Sequence, residues 1–277
     1  MGRHAKTEII LAAAIDVLRG MNPMTVRQVY YQLVSRQVIE NRRSAYQAVS
    51  NLLRDARLEG SIPWEWIEDR LRRPRRVSMW TDLSDFYETA KDSYRRDVWQ
   101  DQPGYVEVWL EKDALSGIFE DVLGRYGVTL NVGRGYDGWD SIHNAAMRYQ
   151  EHAGQEIAVL YFGDFDPSGE DMVRSLGERL AELGARPELV KIALTPEDIR
   201  RYHLPPDFTK ATDTRSRAFV ARHGDIAVEL DALPPDVLRQ RIEAEVQERL
   251  DLDALAETAR LQAEDRARLE KALGPEA

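Results

Sequence analysis

Two short acidic strings in this 277-residue chain carry the residue types and spacing for chemistry. Glu111-Lys112 follows directly on the apolar run Tyr105–Leu110. Asp164-Phe165-Asp166 follows, after a single glycine, on the run Ile157–Phe162, and Gly169 lies three residues further on. In extended backbone, side chains two apart point the same way, so Asp164 and Asp166 share a face. Carboxylates gathered at neighbouring strand ends repel one another unless a cation lies among them. Glu111, Asp164 and Asp166 are hard oxygen donors with no cysteine or histidine beside them, which points to Mg²⁺ or Mn²⁺. A magnesium ion held in this way handles phosphates. Lys112 has two readings: a contact to phosphate, or a partner for one of the acids. Glu170 and Asp171 stand at a helix start, where acids are favoured in any case.

The elements that position these residues alternate strand and helix from Pro103-Gly104 onward. Strands are expected at 105–110, 128–132, 157–162 and 189–194, with helices near 113–126, 138–153 and 169–184 between them. This is a parallel sheet with helices on both faces, in which chemistry sits at the carboxyl ends of the strands. Before it, helices are expected at 6–19, 26–38 and 44–58, with Thr25 capping the second and Gly60 stopping the third. The extended segment 61–67 and the arginine-rich stretch 70–76 complete the plan of a winged-helix domain. Its third helix would enter the major groove, with Arg42, Arg43, Arg54 and Arg57 facing DNA and Arg72, Arg73, Arg75 and Arg76 on phosphates. Gly133-Arg134-Gly135 offers one more DNA contact in Arg134. The expected organisation is therefore a winged-helix domain over 1–80, a helical connector over 81–103 and a metal-binding α/β domain over 104–206. An irregular, then helical, segment covers 207–277.

Charge fits a division of labour. The chain carries a formal net charge of −10, yet its first 80 residues hold 14 Lys/Arg against 8 Asp/Glu, leaving 24 against 40 in the remainder. A basic part would meet a polyanion and an acidic part would hold cations. The composition, 43% hydrophobic and 31% charged, excludes a disordered or collagen-like chain. There is no cysteine, so disulfides and thiolate metal sites are excluded. No apolar run is long enough for a membrane helix, and a cytoplasmic, nucleoid-associated protein is expected. His4, His143, His152, His203 and His223 show no metal-ligand spacing. The six tryptophans at 64, 66, 80, 99, 109 and 139 are expected to pack.

Glu111 at one strand end and Asp164-x-Asp166-x-x-Gly169 after another resemble a Toprim domain. The strings EKDALSGIF, GYDG and GDFDPSGEDM resemble the Toprim half of topoisomerase VI A subunits and of the related meiotic double-strand-break transesterase. Val26-Arg27-Gln28-Val29-Tyr30-Tyr31 resembles the Arg-x-x-Tyr-Tyr helix of that family's CAP-like winged-helix domain, and LTPEDIRRYHLP the stretch after its Toprim core. The likeness runs from about 24 to 206 and is nearest to the standalone A-like type called Mini-A. It implies that Tyr31 attacks a DNA phosphodiester and forms a 5′-phosphotyrosyl link, with Arg27 beside the scissile phosphate. It further implies a homodimer in which one protomer's metal site serves the other's tyrosine. Tyr30 would pack. The family often has Gly-Tyr-Pro where this chain has Gly135-Tyr136-Asp137. Only about five residues precede the first helix where the family has an arm for an ATPase subunit. No glycine-rich nucleotide loop is present, so any ATPase would be a separate partner. Two other readings stay open: a Toprim nuclease that uses water with no covalent intermediate, and a non-catalytic winged-helix DNA binder.

Overall fold

The structure is a computed structural model that describes residues 5–68, 77–133, 138–206 and 216–273. Arg72, Arg73, Arg75, Arg76 and Arg134 fall outside the described residues.

The chain opens with three helices, α1 (Ala5–Met21), α2 (Val26–Ser35) and α3 (Arg43–Leu58). Thr25 caps α2 through a full capping box: its side chain accepts from Gln28 N–H while the Gln28 side chain accepts from Thr25 N–H. Gly60, at φ +78°, ends α3 in the left-handed region that glycine enters freely. A core of Val17, Leu18, Val29, Leu33, Leu53 and Ala56 joins the three helices. Met24 pairs with Ile67 in a one-residue bridge that ties the segment after α3 back to the start of α2. The connector is shorter than its amphipathic pattern suggests: α4 runs only over Leu83–Ser93.

Four strands then form one parallel sheet: β1 (Gly104–Leu110), β2 (Thr129–Val132), β3 (Glu156–Phe162) and β4 (Glu188–Ala193). Strand order is β2-β1-β3-β4. The inner strands β1 and β3 are buried along nearly their whole length, which is why they read as continuous apolar runs rather than alternations. Helices α5 (Ser116–Leu123), α6 (Trp139–Glu151) and α7 (Pro167–Glu182) make the crossovers. The chain steps from β1 outward to β2, then back across β1 to β3 and on to β4. Right-handed crossovers therefore place α5 on one face and α6 and α7 on the other. The packing agrees, since α6 touches α7 while α5 packs on α10 (Pro235–Gln247).

This reversal makes the carboxyl ends of β1 and β3 a topological switch point. The helices that follow these two strands leave in opposite directions and open a crevice between them. After β4 come two short helices, α8 (Pro196–Arg201) and α9 (Ser216–His223), the second inside the segment expected to be irregular. The helical tail, read as one run from 234 to 273, is two helices, α10 and α11 (Leu252–Leu273), with Asp251 accepting from the Asp253 and Ala254 amides at the start of the second. The α11 helix lies against the connector: Asp265 accepts from the Tyr94 hydroxyl and the Arg96 guanidinium, each at 2.7 Å. Among the described residues, no helix is long and apolar enough to cross a membrane.

Candidate active site at the switch point

Glu111 and Asp164 face each other at the ends of β1 and β3. The Glu111 amide donates to Phe162 O at 2.9 Å, extending the ladder by one residue. Glu111 Oε2 in turn accepts from the Asp164 amide at 3.0 Å. This approach needs glycine at 163, because a Cβ there would collide with Glu111 Oε2 and the Tyr161 ring. Gly169 is required for a like reason: its Cβ would strike the Asp164 carbonyl oxygen. Two of the spacer glycines in the acidic motif therefore serve close approach. Phe165, between the two aspartates, pairs with Val228 in an antiparallel bridge, so the segment is extended as its sequence predicts.

The three carboxylates do not stand alike. Asp166 turns back as the N-cap of α7 and accepts from Gly169 N–H at 2.6 Å. Asp164 Oδ1 accepts from Leu230 N–H at 2.7 Å and pairs with Lys112 Nζ at 2.9 Å. Glu170 pairs with Lys191, whose ammonium also donates to Asp164 O. Among the described residues, no three acidic or histidine side chains already converge as a set of ion ligands. Glu111 carries the mark of the crowding. Burial, and then the charge of Asp164, push its carboxyl up to about 7. Burial also raises Asp164, against the pull of Lys112. Glu111 and Asp164 are hard oxygen donors of the kind that hold divalent cations, and burial is the main reason that Glu111 resists ionising here.

Lys112 is the resident cation here. Besides Asp164, its ammonium holds Glu229 Oε2 at 3.0 Å and Asp231 Oδ2 at 2.9 Å. Both acids belong to the turn between α9 and α10. The Phe165–Val228 bridge and the Leu230–Asp164 hydrogen bond pin that turn to the strand ends. Burial disfavours the Lys112 charge, but Asp231, Asp164 and Glu229 together raise it above the ordinary lysine range. Of the two sequence readings of Lys112, the one realised in this structure is the pairing with acids.

The same turn reaches the N-terminal helices. Helix α2 packs on residues 230–232. Arg27 forms an ion pair with Glu229, and its Nε lies 3.9 Å from Asp231. The Arg27 guanidinium stands over the Tyr31 ring at 5.9 Å. Burial works against ionising Glu229, yet the charges of Lys112 and Arg27 hold its carboxyl down at about 2. Tyr31 is 3% exposed, its ring edge-on to Tyr30. Tyr30 packs as expected, its hydroxyl accepting from Arg42 N–H and donating to Asn41. The structure thus joins Arg27, Lys112, Glu111 and Asp164 in one network within a single chain, through two residues that sequence reasoning did not single out.

The arginines assigned to DNA are placed differently from one another. Arg43 and Arg54 are exposed on α3, Arg54 beside Asp55. Arg42 is exposed near Glu40. Arg57 is tied inward: it donates to Trp64 O and Ile67 O and stacks on the Trp64 ring at 4.2 Å. The tryptophan expectation holds for Trp99 and Trp109, which are fully buried, and needs correction for Trp64, Trp80 and Trp139, which are exposed. Trp139 serves as a platform for Arg179. No protein-family model matches this chain, and no curated protein matches it significantly.

Proposed function

We propose that this chain is a divalent-metal-dependent DNA-cleaving enzyme that uses Tyr31 as nucleophile, in the manner of the topoisomerase VI A subunits it resembles. The supporting observation is the network just described. Arg27, one turn before Tyr31, is linked by Glu229 and Asp231 to Lys112 and the strand-end acids. A tyrosine hydroxyl, with a pKa of about 10, is a weak nucleophile until positive charge favours its anion. In the proposed reaction the Tyr31 oxygen attacks phosphorus. The new O–P bond forms, the bond to the 3′ oxygen breaks, and that oxygen takes up a proton while the phenol gives one up. The product is a 5′-phosphotyrosyl link and a free 3′-hydroxyl. Since one phosphodiester replaces another, the reverse step reseals the strand.

Glu111, Asp164 and Asp166 would hold the metal, which when bound would neutralise phosphate charge. Arg27 and Lys112 would face the phosphate oxygens. Arg43 and Arg54 would contact the duplex along α3, with Arg42, Arg134 and the arginines at 72, 73, 75 and 76 as further contacts, while Arg57, held by Trp64 O and Ile67 O, is left out of that set. The homodimer and the separate ATPase subunit implied by the resemblance belong to the same proposal, as does a nucleoid-associated location.

The test is incubation with supercoiled plasmid and Mg²⁺ or Mn²⁺, followed by a detergent quench with and without protease. Wild type is expected to give protein-linked DNA ends, and Tyr31→Phe and Asp166→Ala to give none. Mixing the two variants restores the ends if one protomer's tyrosine uses its partner's acids. The burial of Tyr31 favours a second reading, hydrolysis by water at the same acids. On that reading Tyr31→Phe still cuts, and no end carries protein.

A further inference from the structure

We propose that Arg27 and Lys112 form a phosphodiester-binding site whose occupant in the free protein is the carboxylate of Glu229. The inference rests on the DNA reading above and assigns Glu229 a role within it. One carboxylate spans both cations: Glu229 Oε1 pairs with Arg27 and Oε2 with Lys112. Two anionic oxygens bridging a guanidinium and an ammonium reproduce the way two phosphate oxygens are held.

The cluster is asymmetric in a way that marks Glu229 as the exchangeable member. The Asp231 side chain is 0% exposed, and Lys112 keeps both Asp231 and Asp164 when Glu229 leaves. At the other end the side chains of Arg27 and Glu229 are 45% and 16% exposed, so an incoming anion approaches from there. The backbone on either side of Glu229 is fixed by the Val228–Phe165 bridge and the Leu230–Asp164 hydrogen bond, so a rotation of the Glu229 side chain alone opens the site. That movement leaves Arg27, which stands 5.9 Å from the Tyr31 ring, with Asp231 as its remaining acid in the cluster. Glu229 thus competes with DNA for two cations until a phosphate displaces it.

The test measures anisotropy of a short fluorescein-labelled duplex in EDTA, where no metal contributes and no strand is cut. Glu229→Gln is expected to bind roughly 3- to 10-fold more tightly than wild type, with a salt dependence steeper by about one phosphate contact. The double variant Arg27→Gln/Glu229→Gln is expected to lose that gain. Glu182→Gln, on the exposed side of α7, sets the size of a general charge effect. Thermal melting of each variant confirms that it is folded. If wild type binds and Glu229→Gln gains no more than Glu182→Gln, this inference falls and the DNA reading stands. If no variant binds duplex, both fall. Binding by Glu229→Gln alone would be its strongest support.

Discussion

Two glutamates four residues apart, at and just beyond β1, show opposite ways of burying a carboxylate. Glu107 is fully enclosed and saturated with donors. Arg148 reaches both its oxygens, at 2.6 and 2.9 Å, Asn131 donates at 2.7 Å, and the Tyr105 and Tyr149 hydroxyls donate at 2.9 and 3.1 Å. The carboxylate has a dedicated counter-ion and no acidic neighbour appears among these partners, while burial, and then the charge of Glu107, raises both tyrosines, Tyr105 to about 12. Glu111 receives one backbone N–H, sits against Asp164, and is pushed up to about 7. Burial is common to both, so burial alone does not mark a functional acid. The difference lies in whether the surroundings complete the carboxylate or leave it short of positive charge.

The contrast is open to experiment. Replacing Glu107 with leucine strands the Arg148 guanidinium and two hydroxyls, and is expected to cost about 3–5 kcal/mol in urea unfolding. A neutral outcome would place Glu107 in the same class as Glu111. Magnesium should act on one glutamate only. At one hundred times its dissociation constant it is expected to stabilise wild type by about 2.7 kcal/mol. The gain should be larger at pH 8 than at pH 6, because Glu111 must lose its proton to bind the ion, and should vanish in Glu111→Gln. Without metal, Glu111→Gln is itself expected to stabilise the fold by about 1–2 kcal/mol at pH 8. The sign follows from a folded pKa of about 7 lying above the ordinary 4.5. The folded state binds the extra proton, so wild-type stability declines as pH rises through that interval, and the advantage of the variant disappears below it. A melting series from pH 5 to 8 measures this. The smallest effect concerns an arginine outside the pair. Trp64→Ala removes the platform under Arg57 and is expected to cost about 0.5–1 kcal/mol while leaving the magnesium response intact.

Much of this arrangement was legible in the residues. The apolar runs located all four strands to within a residue or two, and the signal is uninterrupted in β1 and β3, the two that are buried along nearly their whole length. Glu111 and Asp164 could be placed at strand ends from the sequence, and at ends that can be neighbours; the strand order of the sheet makes them so. What escaped was Glu229 and Asp231. They lie more than 60 residues beyond Asp164, at and just before a single 3-10 turn, Leu230–Ala232, too short to announce itself in the sequence. The commitment of Arg57 to Trp64 O and Ile67 O also escaped, because a helix-face arginine reads identically whether it meets solvent, DNA or its own chain. The break between α10 and α11 was missed because Glu, Arg, Ala and Leu continue through it, although Asp251 is a sound capping residue.

The turn that bears Glu229 has a consequence for how the protein is made. A ribosome delivers the strands and their acids first, and the residues that steady Lys112 and hold Arg27 emerge only after the whole sheet. A nascent chain that has reached residue 227 already contains all four strands, while the link through Glu229 and Asp231 between its amino-terminal helices and the strand ends is still untranslated. Assembly of the cluster is thereby timed by translation itself, and a prematurely terminated product would carry the acids without the clasp that organises them.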